Sequence, residues 1–158
     1  MNPIQAMKHS LPLVLLLLAA TSAGTSTAHC ATVGNTEEST LSSTPATEEV
    51  RKALEQFYRE YAGWIAARFD ERPAKPDSPL TDSARRKVEK AAVETGGDPL
   101  IRAQDFNKES LPTITVEHVV GPWYAIAYLS TYENRCVVIP VRATVRKGRL
   151  EISDITLL

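Results

Sequence analysis

The chain has 158 residues, 43% of them hydrophobic and 23% charged, with 18 Lys and Arg against 19 Asp and Glu, two Cys and three His. That length fits one domain with a single core better than two. The near-balance of charge argues against a nucleic-acid partner, which calls for a basic excess or stripe, and the few Cys and His form no cluster for zinc.

Lys8 and His9 precede a ten-residue apolar run, Leu11 to Ala20, which leads into Thr21, Ser22, Ala23, Ser26, Thr27 and Ala28. This order of charge, apolar run and small residues predicts a secretory signal peptide over residues 1–28, cleaved after Ala23 or Ala28. As a helix the run would be about 15 Å long, half a bilayer core, so it is too short for a stable membrane span. Export to the periplasm is therefore expected. With no second long apolar run, no transmembrane segment is expected in the mature chain. Loss of Lys8 leaves 17 basic residues against 19 acidic, a net charge of −2.

Cys30 and Cys136 leave three readings open in an oxidising compartment: a disulfide between them, inert thiols, or an acylated Cys30 that anchors a lipoprotein. His29 stands where a lipidated cysteine normally follows Gly, Ala or Ser, and so disfavours the anchor. Residues 29–43 are small, polar and aperiodic, which predicts a flexible tether ahead of a folded domain at 44–158.

Thr44 and Pro45 predict a capped helix start, with Glu48 and Glu49 in the first turn where the helix dipole favours negative charge. Val50, Leu54, Phe57, Tyr58, Tyr61, Trp64, Ile65 and Phe69 recur at three-and-four spacing, so a helix from Pro45 to about Arg68 carries one broad apolar and aromatic face. Three prolines between Glu71 and Pro79 interrupt it. A second helix is marked by Leu80, Ala84, Val88 and Ala91, capped by Thr81 or Asp82 and stopped at Gly96-Gly97. Asp98-Pro99 then predicts a short helical turn carrying Leu100, Ile101 and Ala103.

From Thr113 the apolar period becomes two. Ile114, Val116, His118 and Val120 alternate; Trp123 to Tyr132, Cys136 to Arg146 and Arg149 to Leu157 follow as strands, separated by turns at Gly121-Pro122, Glu133-Asn134 and Lys147-Gly148. In the third strand Val137, Ile139, Val141, Ala143 and Val145 share the core face. The apolar phase slips near Ser153-Asp154, which predicts a bulge that curls the sheet. Helices followed by an antiparallel meander with one buried face make an α+β fold: N-terminal helices on a curved four-stranded antiparallel sheet.

Phe57-Tyr58-x-x-Tyr61, the run Asp98-Pro-Leu-Ile-Arg-Ala-Gln-Asp105, the strand Thr113-Ile-Thr-Val116 and the closing Leu150-Glu-Ile-Ser-Asp-Ile155 together resemble a family of uncharacterised exported bacterial proteins with an NTF2-like, cystatin-like cone, some of them envelope lipoproteins. The resemblance runs from about Thr44 to the end. It implies a helix in the mouth of a curved sheet, and with it a pocket, but brings no catalytic residues. Small periplasmic proteins of similar form resemble immunity proteins that block peptidoglycan-cleaving toxins delivered by type VI secretion.

Candidate sites are few. His118 is the one histidine of the folded region; beside Asp105 or Tyr128 in a cone it would serve a ligand pocket or act as a general base, although a lone strand histidine is usually a packing residue. Asp98 is read as the cap of the short helix, with Gln104 and Asp105 bonded to neighbouring backbone rather than to a cation, since calcium takes six or more oxygens; no metal and no cofactor is expected. Trp123 and Tyr124 at the Gly121-Pro122 turn, with Asn134 and Arg135 at the next, are the candidate interface residues, with closure of the core as the alternative for Trp123. Two basic groups, Arg85-Arg86-Lys87 with Lys90 and Arg142, Arg146, Lys147 and Arg149, read first as solvated faces. The expectation is a non-catalytic binding module whose partner is an envelope protein, at its sharpest a peptidoglycan hydrolase toxin. A pocket centred on His118 and a structural or efflux-associated envelope role are the alternatives, and pairing of open sheet faces would give a homodimer.

Overall fold

A computed structural model describes residues 44–67 and 71–157. The expected signal peptide, the tether, Cys30 and Phe69 lie outside the described residues.

Helix α1 (Pro45–Ala66) starts as the sequence predicts: the Thr44 hydroxyl accepts the Thr47 N–H and proline occupies the first turn. Glu48, Arg51, Glu55 and Arg59 form an ion-pair ladder along its outer side. Each such rung adds only a few tenths of a kcal/mol, so the helix owes its place to the opposite face. There Val50, Leu54, Phe57, Tyr58, Tyr61 and Ala62 are buried, with Phe57 against Tyr58 and Tyr61 at centroid distances of 5.4 and 5.6 Å.

Helix α2 (Asp82–Thr95) is capped by the Thr81 hydroxyl and ends where Gly96 turns left-handed at φ 67°, a conformation glycine adopts without penalty. The expected helical turn at Asp98 is instead a tight loop closed by an Asp98–Ala103 bridge, with Asp98 N–H donating to Ala103 O at 2.8 Å. Pro99 permitted a helix start, but Arg102 adopts φ 49° and the helix does not propagate. A 3-10 helix (Lys108–Thr113) that periodicity did not mark follows; Asn107 caps it and Pro112 lies inside it.

Strands β1 (Thr115–Val120), β2 (Trp123–Ser130), β3 (Arg135–Arg146) and β4 (Arg149–Ile155) form an antiparallel meander in that order. Tyr124, Ile126 and Tyr128 of β2 and Val137, Ile139, Val141 and Ala143 of β3 face α1 in one core with Ile114, Val116, Ile152 and Ile155. The register slips at Ser153, between the Arg142–Asp154 and Ala143–Ile152 pairs, where the change of apolar phase lies. A second irregularity at Val119 has no such mark in the sequence. The free side of β4 is covered, because Ile152 exchanges backbone hydrogen bonds with Pro79 and Thr81, which removes an edge open to wrong pairing.

Two features of the meander position its surfaces. Consecutive hairpin turns fall at opposite ends of a sheet, so Gly121-Pro122 and the turn before Arg135 are separated by the length of β2, about 23 Å. The third turn, Lys147-Gly148, returns to the first end. Because Trp123 pairs with Arg142 while β3 continues to Arg146, the β3–β4 hairpin overhangs the β1–β2 turn by about four residues, roughly 13 Å.

Candidate functional site

The overhanging end is an exposed, mixed surface. Val119 and Val120 at the close of β1 are 55% and 66% exposed. Beside them His118 is also exposed; its Nε2 lies 2.9 Å from Gly121 O, and its ring stands on Tyr124 at 5.2 Å. Trp123 is half-buried on the outer sheet face with Arg142 as its cross-strand partner. The hairpin then carries Arg146, Lys147 and Arg149 into solvent, and of these only Arg146 has an acidic neighbour, Glu151 at 3.5 Å. Val145 and Leu150 pack onto the core and anchor the base of the arm. Lys147 and Gly148 adopt φ 53° and 70°, the two-residue turn whose twist matches that of its strands. The other basic group is partly structural: Lys87 donates to Asp154 Oδ1 and Ile155 O, both at 2.7 Å, and ties α2 to β4.

The structure does not assemble the three ligand-pocket candidates. Tyr128 is buried, with its hydroxyl donating to Ile101 O at 2.6 Å. His118 pairs opposite Tyr124, about 13 Å along β2 from Tyr128. Asp105 is exposed and accepts the N–H of Phe106 at 2.8 Å. Alternation put His118 on the core face correctly, but β1 outruns its helical cover and the ring ends in solvent. Tyr124 is likewise corrected: it is 3% exposed, its hydroxyl faces Thr47 O at 3.5 Å, and it is core rather than an interface anchor. Asn134 and Arg135 are exposed, Asn134 at φ 48° and Arg135 paired with Glu133 at 2.7 Å. They sit at the end opposite Trp123, so the two turns cannot fill one groove together. Cys136, on the outer face of β3, is not a free thiol; its proposed partner Cys30 lies outside the described residues.

The opposite end holds a buried polar layer. Tyr61 donates to Asp98 Oδ2 at 2.5 Å, while Asp98 Oδ1 accepts the Leu100 N–H at 2.8 Å. Burial, reinforced by that Asp98 carboxylate, raises the Tyr61 hydroxyl above its ordinary value. Burial alone is the main cause for Tyr58 and Tyr128, the latter pushed up to about 12. Arg102 reaches across to donate to Val138 O and Thr156 O, both at 2.6 Å. Just outside this layer a cleft of about 340 Å³ is lined by Ala91 and Thr95 of α2, the loop from Gly97 to Gln104, Glu133 and Leu157. The sequence marked this loop by its Asp-Pro start but gave no sign of Arg102, whose left-handed backbone has no side-chain signature. Among the described residues no three His, Cys, Asp or Glu gather as a metal site, and no helix is long and apolar enough to cross a membrane.

No protein-family model matches the chain, and no curated protein matches it. Two solved structures are similar to it. One is a protein of unknown function from Bacteroides thetaiotaomicron VPI-5482, 29% identical, with a TM-score of 0.57 over 69% of this chain and 89% of that one. The other is a chain of the type VI native effector–immunity complex Tae3–Tai3 from Ralstonia pickettii, 14% identical, with a TM-score of 0.46 over 67% of this chain and 92% of that one.

Proposed function

We propose that this is an exported, periplasmic protein-binding module of NTF2-like form that acts without catalysis, and that its partner is a peptidoglycan amidase toxin which it holds inactive. The observation that carries the reading is the overhanging end. An arm of the sheet projects roughly 13 Å beyond its neighbours, with three basic side chains at its tip and Val119, Val120 and Trp123 at its base. Apolar and aromatic groups ringed by charge are the composition of a protein contact, and a narrow arm suits a concave partner such as an active-site groove. The partner class rests on the resemblance of residues 44–158 to the family of uncharacterised exported proteins, because some small periplasmic proteins of similar form resemble immunity proteins. The likeness to the Ralstonia complex, at a TM-score of 0.46, adds nothing to it.

The reading is tested by reading the genes on either side of this one and purifying the amidase expected among them. The mature protein should suppress hydrolysis of purified sacculi at a one-to-one ratio, and Trp123→Ala should weaken that inhibition at least tenfold, as loss of an aromatic anchor does. An amidase unaffected by a large excess of the protein, or a locus with no such gene, overturns immunity.

A further inference from the structure

We infer that the cleft between the end of α2 and the loop from Gly97 to Gln104 binds a small organic carboxylate with a compact apolar body, held by the guanidinium of Arg102. This site is independent of the overhanging end.

Arg102 has no counter-ion among the described residues. Its two terminal nitrogens each donate once to a backbone carbonyl, its Nε is buried without a partner, and no carboxylate among the described residues lies within ion-pair distance. Burial lowers its pKa, the signature of a charge taken partly out of water without compensation. Each terminal nitrogen carries two N–H groups and has used one, so each keeps a charged donor for a further acceptor, and a carboxylate is the acceptor that also supplies the missing charge. The cleft's own acids are committed elsewhere: Asp98 is held by Tyr61 and Leu100, and Glu133 by Arg135.

Two further facts point the same way. The buried Tyr58 hydroxyl has no hydrogen-bond partner and lies within the electrostatic reach of both Asp98 and Arg102, so a second unsatisfied polar group is buried near the Arg102 guanidinium. Arg102 itself holds φ 49°, unusual for a side chain of its size; strain of this kind persists where surrounding structure imposes it. Of the remaining lining, Ala91, Pro99, Ala103 and Leu157 are apolar, beside the polar Thr95 and Gln104. A volume of about 340 Å³ is at the small end for ligand sites, which selects a compact body rather than a long chain or a polyanion.

Two sources supply that chemistry: a free short-chain acid and the C-terminus of a short peptide. Hexanoate and N-acetyl-Ala-Ala represent them, with hexanamide and the dipeptide amide as neutral controls, each titrated into the mature protein and followed by amide NMR. One acid should saturate, with shifts centred on Gly97 to Gln104, at least tenfold more tightly than its amide. Ala91→Met, which fills the cleft and leaves Arg102 in place, should weaken binding at least tenfold. Arg102→Gln should erase the difference between acid and amide. Should that variant fail to fold, because it also loses the bonds to Val138 and Thr156, the amide controls and Ala91→Met still decide. No saturation by either acid below about 10 mM, equal binding of acid and amide, or indifference to Ala91→Met overturns the proposal.

Discussion

The two ends of the sheet are built on opposite principles. At the end carrying the β2–β3 turn, nearly every loop is stitched to another: Asn107 bonds Thr131, Ser110 Oγ accepts the Thr131 N–H, Tyr128 bonds Ile101 O, and Arg102 fills the carbonyls of Val138 and Thr156. At the overhanging end the β3–β4 arm is tied to the β1–β2 turn by a single backbone bond, Ala143 N–H to Pro122 O at 2.8 Å. Packing and loop-to-loop hydrogen bonds concentrate at the first end and exposed apolar and basic groups at the second. Regions with few buried contacts open at low cost and are free to adapt to a partner; the stitched end carries the fold.

The sharpest consequence is in alkali. Tyr58, Tyr61 and Tyr128 have raised pKa values in the folded protein. Below the ordinary tyrosine value near 10 each is protonated in both states and pH has no leverage. Above it the unfolded chain releases protons that the folded one retains, so stability is lost as pH rises. Three such groups together give a slope of about 4 kcal/mol per pH unit, and urea midpoints measured across that range should fall steeply from about pH 10. A flat profile up to pH 12 would mean that this end is not sealed.

Truncations at the two ends should differ next. Phe106 is 4% exposed and packs against Tyr128 at 4.8 Å, so Phe106→Ala should cost about 3–5 kcal/mol. Val120→Ala, on the exposed side of the molecule, should change stability by no more than about 0.5 kcal/mol. Comparable losses in chemical denaturation would erase the contrast.

Within the stitched end, two tyrosines separate a made hydrogen bond from an unmade one. Tyr128→Phe leaves Ile101 O without its donor and should destabilise by about 1–3 kcal/mol. Tyr58→Phe removes a buried hydroxyl that has no partner, so the same removal should be neutral or stabilising by about 1 kcal/mol. It should also reduce the alkaline slope by about a third. A loss of stability in Tyr58→Phe would mean that this hydroxyl is satisfied in solution, and would remove one of the two unsatisfied polar groups near the Arg102 guanidinium.

Elements with a periodic or capping signal were legible in the sequence. Thr44-Pro45, Thr81, Gly96 and the phase slip at Ser153 each reflect a local rule, and the structure keeps them. What the sequence could not carry was relative position. His118 lies on the core face by alternation yet is exposed, because exposure depends on where α1 stops covering β1. Tyr124 and Trp123 are neighbours in sequence, but β2 turns one into the core and the other outward. The turns at Trp123 and Asn134 looked equivalent on paper, and only the meander separates them by the length of a strand. Arg102 was invisible for a different reason: its role comes from two backbone carbonyls and a left-handed turn distant in sequence from its partners.

Lys147→Asn gives the smallest effect and isolates what the overhanging end is for. Position 147 holds φ 53° ahead of Gly148 at 70°, and asparagine tolerates that region better than lysine. Asn-Gly is the preferred pair for this turn, so the substitution should stabilise the arm by about 0.5 kcal/mol, a rise of roughly 2–4 °C in Tm. It also removes one of three cations at the tip. If that charge serves an acidic partner, affinity should fall although the fold gains, chiefly through a slower association rate whose deficit shrinks as salt screens the remaining charges. Stability and binding thus move in opposite directions, which separates a surface kept for contact from one kept for structure. Should the variant bind as well as the natural chain at low salt, the arm's charges are a solvated face, and the contact reduces to Val119, Val120 and Trp123.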